Sequence, residues 1–236
     1  MDSDDEMPML SAATLAALQE FKNEEKERNE KFASLYQNAE EAFEKRSKLS
    51  IDDFKEDWQL SQFWYSDETA SILLDALLEG ATEDTVICIA SAPSVYAIIN
   101  KRDRSKLPTK KIYLFEYDKR FELLSGEEYF GFYDFNEPEK FRNDLIGKID
   151  RLLIDPPFLE SECQKKSSET AKLLLKKNSS ARIITCTGER MKDNVLKNYA
   201  EEGVKVTDFY PEHKNGLSNE FRCYANFDCK QWKKID

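Results

Sequence analysis

From residue 85 onward, short apolar runs alternate with helical patterns, and few folds can accommodate that alternation. Strands are predicted at "TVICIA" (85–90), "KIYLFEYD" (111–118), "YFGFYDF" (129–135), "RLLIDPP" (151–157) and "ARIITCTG" (181–188). Helices are predicted between them, over 93–101, 121–128, 137–146, 163–177 and 189–200. Strands that are apolar at nearly every position and separated by helices build a parallel sheet covered on both faces. The last two runs, "VKVTDFY" (204–210) and "FRCYANFD" (221–228), are joined only by the polar "PEHKNGLSNE". That link is too short for a crossover helix, so these strands should pair antiparallel.

Five βα units and an antiparallel finish are the strand order of class I methyltransferases, the Rossmann-like fold that binds S-adenosylmethionine. The expected fold is therefore α/β, with a mostly parallel seven-stranded sheet, an antiparallel C-terminal hairpin and an N-terminal helical extension. A chain of 236 residues suits one such domain plus the extension. Ser11 can cap a helix that carries Leu15, Leu18 and Phe21 at helical spacing, and Phe32, Leu35, Tyr36, Ala39 and Phe43 rebuild an apolar stripe after the polar "KNEEKERNEK". The predicted division is an acidic helical extension over 1–57 and a methyltransferase domain over 58–236.

The net charge of −11 is unevenly distributed. Residues 1–57 hold 16 acids against 8 bases, whereas residues 58–236 hold 30 acids and 27 bases. The acidity thus belongs mostly to the extension, which covers the main domain or recognises a basic partner. Five cysteines, an odd number without a C-x-x-C pair, and no apolar run near 18 residues point to a protein of a reducing, cytoplasmic compartment with no membrane span. With His213 as the lone imidazole, no metal site is expected.

In an open parallel sheet, ligands bind outside the carboxyl ends of the strands. After the first strand, "ASAPSVY" offers the small residues Ser91 and Ala92 where a dinucleotide site would carry G-x-G-x-x-G, and Pro93 starts a helix whose backbone donors could face a ligand carboxylate. Glu116 and Asp118 end the second strand two residues apart, on one side of an extended chain, where an acid can accept both ribose hydroxyls of an adenosine. Asp134, ending the third strand, is suitably placed to accept from an adenine amine. The fourth strand ends "IDPPF": Asp155 gives a side-chain oxygen, Pro156 a backbone carbonyl and Phe158 a flat wall, while Pro156 and Pro157 stiffen the turn. Such acceptors can hold a nitrogen nucleophile with its lone pair aimed at a methyl group. Upstream, Trp58, Phe63, Trp64 and Tyr65 precede a helix that Ser66 or Asp67 could cap, and either pack a core or build a cage of π faces around a cation.

"DPPF" resembles the [D/N]-P-P-[Y/F/W] signature of methyltransferases that act on adenine, glutamine or lysine nitrogens, and by itself does not choose among them. The stretches "SDDEMPMLSAATLAALQEF", "WQLSQFWYS", "SAPSVY", "FEYDKRF", "DPPFL", "CTG" and "NEFRCYANF" resemble one subgroup, the eukaryotic elongation factor 1-alpha lysine methyltransferases, once described as adenine-specific DNA methyltransferases. Residues 22–57 look longer and more charged than that subgroup leads one to expect. The resemblance implies methyl transfer from S-adenosylmethionine to a lysine of elongation factor 1-alpha, with adenine methylation of DNA or RNA as the alternative. It implies that Asp155, Pro156, Pro157 and Phe158 hold the amine, Glu116 or Asp118 the ribose, and Asp134 the adenine. Ser91, Ala92, Gln62, Trp64 and Tyr65 would surround the methionine end.

Overall fold

The computed structural model describes residues 19–23, 25–27, 29–30, 49–177, 180–217 and 220–235. The chain divides into two units, Met1–Phe43 and Glu44–Asp236. In the first, the described residues 19–23, 25–27 and 29–30 are helical, and Lys26 and Glu30 lie one turn apart with their charges 3.8 Å from each other. The expected Ser11 cap and the stripe from Phe32 to Phe43 lie outside the described residues.

The second unit holds a seven-stranded sheet ordered β3-β2-β1-β4-β5-β7-β6. The strands are β1 (Ile87–Ala90), β2 (Ile112–Glu116), β3 (Phe130–Phe132), β4 (Arg151–Ile154), β5 (Arg182–Gly188), β6 (Lys205–Val206) and β7 (Phe221–Ala225). The first five pair parallel, and β7 runs antiparallel between β5 and β6, as the short 204–228 segment requires. The chain reverses direction across the sheet between β1 and β4, and this is where a crevice opens above the strand ends.

The helices are α1 (Asp67–Leu78), α2 (Pro93–Asn100), α3 (Glu122–Ser125), α4 (Ser161–Leu174) and α5 (Lys192–Asn198). Ser66 caps α1, its hydroxyl accepting from Thr69 N at 3.1 Å. Cys88 and Ala90 of β1 pack with Ala171 and Leu174 of α4 and Val195 and Tyr199 beside α5. By strand alternation, Ile87 and Ile89 face the opposite layer, where α1 and α2 pack together.

Two helical expectations are corrected. Over 137–146 there is no α-helix, only a 3-10 turn at Asn143–Leu145. Arg142 donates to the carbonyls of Glu128 and Phe130, so the segment follows an irregular path tied to the edge of the sheet, and Phe141 and Leu145 alone carry its apolar contact. Over 121–128 the pattern is broken by Gly126 at φ +80°, which leaves one turn of α3 between 3-10 turns. The 189–200 helix begins as a 3-10 turn and is helical at Lys192–Asn198.

Residues 50–57, expected to belong to the extension, lie in the second unit. Phe54 is buried and stacks on Phe121 at 4.8 Å, its carbonyl accepts from Trp64 Nε1 at 3.0 Å, and Lys214 Nζ lies 2.6 Å from Asp52.

Gly131 in β3 has a packing reason. A Cβ there would sit 2.5 Å from Cε1 of the buried Phe115 ring. Gly131→Ala is expected to destabilise the protein by about 1 to 3 kcal/mol, read as a lower midpoint in urea at unchanged slope. An unchanged midpoint would show that Phe115 can swing aside at no cost.

Candidate active site

A cavity of about 610 Å³ opens above the carboxyl ends of the parallel strands. That volume is within the range that encloses a nucleotide-sized ligand. Ten of the twelve residues singled out from the sequence border it: Gln62, Trp64, Ser91, Ala92, Glu116 and Asp134 from the nucleotide side, and Asp155, Pro156, Pro157 and Phe158 from the β4 turn. Tyr65 and Asp118 do not.

At the end of β1, Ser91 adopts φ +56°, a left-handed conformation that costs a serine roughly 1 to 3 kcal/mol. Its N–H donates to Phe115 O at 2.8 Å, which holds the loop against β2. Ala92 stands at the N-cap of α2 and makes no side-chain bond to the first turn, so those backbone donors have no side-chain cap. The strained serine occupies the position where a glycine would be expected and reproduces its positive φ, with a small side chain in place of none.

Glu116 ends β2 and is only 7% exposed. Its Oε1 accepts from the N–H groups of Tyr117 (2.9 Å) and Asp118 (3.3 Å), while no described protein donor reaches Oε2. Burial raises its pKa to about 8. Asp118 turns away, because the strand ends at Glu116 and Asp118 caps the next 3-10 turn. Its carboxylate is taken by Arg120 Nε and by Gln62 Nε2 at 3.0 Å, so it ties the 57–65 segment to β2. Asp134 accepts from Asn136 N at 2.8 Å, and Phe135 and Asn136, which the sequence reading passed over, also border the cavity.

Beyond β4, Asp155 N donates to Ala90 O at 3.0 Å and Tyr65 Oη donates to Asp155 Oδ2 at 2.7 Å. Oδ1 has no described protein donor. Burial lifts the Asp155 carboxyl to about 7 against the opposing Tyr65 bond, and the same burial raises the Tyr65 phenol. Tyr65, 1% exposed and outside the cavity lining, is therefore a hydrogen-bond donor behind the carboxyl. Phe63 and Trp64 do line the cavity, while Trp58 is 76% exposed.

Three residues hold the "DPPF" turn: Gly188 ends the quoted "CTG" stretch, whereas Gln164 and Arg190 had no local sequence signal. Gln164 of α4, buried, donates through Nε2 to Phe158 O (3.3 Å) and to Thr187 Oγ1 (3.1 Å). Gly188 lets Leu159 approach, since a Cβ there would lie 3.0 Å from both Leu159 methyl carbons. Arg190 Nη2 donates to Leu159 O at 3.1 Å.

A family model described as "Probable N6-adenine methyltransferase" matches residues 56–229. The chain is 57% identical over 234 residues to the Saccharomyces cerevisiae protein-lysine N-methyltransferase EFM5, covering 95% of this chain and 94% of that one. It is 41% identical to the human EEF1A lysine methyltransferase 1 over 226 residues, covering 95% and 94%. The chain belongs to this methyltransferase family. Among solved structures, a Thermus thermophilus branched-chain polyamine synthase aligns with a TM-score of 0.50 at 12% identity, over 79% of this chain and 64% of that one, and shares the fold alone. The methyl donor is S-adenosylmethionine, and the cavity fits it: a small-residue loop at a helix start, a buried acid with an open oxygen at the β2 end and an Asx turn at the β3 end stand in nucleotide-binding order.

Proposed function

We propose that the protein transfers a methyl group from S-adenosylmethionine to a lysine ε-amine of elongation factor 1-alpha, in the cytoplasm. The observation that carries this reading is Asp155, whose Oδ2 accepts from Tyr65 Oη while Oδ1 has no described protein donor, in a cavity lining that also holds Pro156 and Phe158. Bound S-adenosylmethionine supplies an electrophilic methyl group. Glu116 holds the ribose hydroxyls through Oε2, Asp134 lies at the adenine, and Ser91, Ala92, Gln62 and Trp64 enclose the methionine end.

Asp155 Oδ1 and the Pro156 carbonyl each accept an N–H of the amine, which leaves the third direction for its lone pair. A lysine has a pKa of about 10.4, so baring that lone pair at pH 7 costs roughly 4 to 5 kcal/mol. Transfer from that ammonium to a carboxyl of pKa about 7 costs as much as release to water at pH 7, so Asp155 acts as a positioning acceptor. Oδ1 and the Pro156 carbonyl keep two N–H groups, and the third proton leaves to water.

The name of the family model makes adenine methylation the second reading. Among the described residues, the cavity is bordered by four acids, Glu116, Asp134, Asp155 and Glu160, and by one cation, Arg190, so it offers little attraction to a phosphate backbone. Labelled S-adenosylmethionine incubated with elongation factor 1-alpha, DNA and RNA is expected to label lysine in the factor. Label on nucleic acid alone would replace the first reading with the second. Among the described residues, no helix is long and apolar enough to cross a membrane.

A further inference from the structure

Once the nucleotide-facing walls are assigned, part of the cavity remains. It is bordered by Leu159, Arg190, His213, Leu217 and Phe221, residues of the β4 turn, the β5 end, the 211–217 loop and the start of β7. Leu159 follows Phe158 in the chain, and the His213 ring lies against Tyr65, the donor to Asp155, so this part adjoins the β4 turn.

Its walls are apolar or uncharged. The His213 ring lies between Tyr65, 4.7 Å away, and Phe221, 4.6 Å away, and a backbone bridge from residue 213 to Tyr65 fixes it there. Burial lowers its pKa to about 4, so the imidazole is neutral at pH 7. A neutral aromatic wall suits the methylene stem of a lysine.

Arg190 contrasts with this wall. It is exposed, it borders the cavity, and one of its N–H groups fastens Leu159 O. A guanidinium at the mouth of a site for a cationic amine opposes entry unless an anion arrives with it. Carboxylates are the geometric match for that fork.

We propose that the space walled by Leu159, His213, Leu217 and Phe221 is the channel for the acceptor lysine, and that Arg190 at its rim pairs with a carboxylate side chain that the substrate polypeptide carries within about three residues of that lysine. This inference rests on the protein-lysine reading above. The other anion that could meet Arg190 is the carboxylate of the methyl donor. The position of Arg190 after β5, away from the β1 loop and α2, favours the polypeptide.

The test compares Arg190→Glu and Arg190→Met with the native enzyme on elongation factor 1-alpha, using mass spectrometry to locate the methylated lysine. Arg190→Glu is expected to raise the KM for the factor at least tenfold, while S-adenosylmethionine affinity by calorimetry stays within twofold. Changing the neighbouring acidic residue of the factor to lysine should impair the native enzyme, and Arg190→Glu should recover at least fivefold of that loss. A role limited to fastening Leu159 would lower kcat in Arg190→Met and give no recovery by charge exchange, which would overturn the proposal. So would a tenfold loss of S-adenosylmethionine affinity in Arg190→Met, or a methylated lysine without an acidic neighbour. If the native enzyme labels no lysine, the protein-lysine reading itself fails, and that is visible before any variant is compared.

Discussion

Asp155→Ala is expected to lower kcat by about a hundred- to a thousandfold, the scale on which losing one preorganised polar group of an active site is felt. The substitution removes the hydrogen-bond acceptor proposed to orient the amine. S-adenosylmethionine affinity should stay within about tenfold, because Glu116, Asp134 and the Ser91 loop are untouched. There is a stability cost as well: the buried Tyr65 hydroxyl loses its 2.7 Å partner, worth roughly 1 to 3 kcal/mol. Single-turnover kinetics at saturating methyl donor separate the chemical step from that cost, and turnover equal to the native enzyme would remove Asp155 from the amine. Asp155→Asn keeps an acceptor oxygen, so it should recover part of the positioning and, with it, part of the rate.

The second large effect is expected at Glu116, where alanine should weaken S-adenosylmethionine binding by about 2 to 4 kcal/mol, or roughly thirty- to a thousandfold, through the loss of two ribose hydrogen bonds to a charged acceptor. This site also has a pH signature. In the free protein the Glu116 carboxyl titrates at about 8, raised by burial, so it is mostly protonated at pH 6 to 7. Two hydroxyl donors favour the carboxylate, so binding lowers this pKa and releases a proton. Affinity should therefore tighten as the pH rises toward 8, by up to about tenfold per unit, and level off above it. Calorimetry in buffers of different ionisation enthalpy reads the released proton directly. Asp155 titrates nearby, at about 7, so the control is Glu116→Gln, in which the dependence should largely vanish. A flat profile in the native enzyme would mean that the ribose is held by the protonated acid.

The strands were legible because each is a local event, but the predicted 111–118, 129–135 and 204–210 are strand only at Ile112–Glu116, Phe130–Phe132 and Lys205–Val206. An apolar run that stops at Glu116 or Asp155 announces both a buried strand and the group it delivers to the sheet's edge. The antiparallel finish was equally local, since a polar link without a helix leaves few ways to connect two strands. Helix limits over 121–146 were not local. Gly126 and the Arg142 bonds to distant carbonyls decided that path, against a sequence whose apolar spacing suits a helix.

Spacing alone could not separate Glu116 from Asp118. Two residues apart on an extended chain they face one way, but the strand ends between them, and Gln62, 56 residues upstream, captures Asp118. Tyr65 was recognised as part of an aromatic stretch, yet its partner lies 90 residues away, and only the folded chain turns it from a cage wall into the donor behind Asp155. His213 and Arg190 carried no motif and acquired meaning only when the 211–217 loop and the β5 end met at one cavity.

By itself, then, the sequence determined the succession of strands, the antiparallel finish and the chemical groups after the strands, because periodicity and strand termination are written over a few consecutive residues. The tertiary structure decided which of those groups face the cavity, which are spent on holding the turn, and how far burial shifts their protons. Those properties depend on contacts between segments tens to more than a hundred residues apart, such as the pairing of Lys214 with Asp52 across 162 residues.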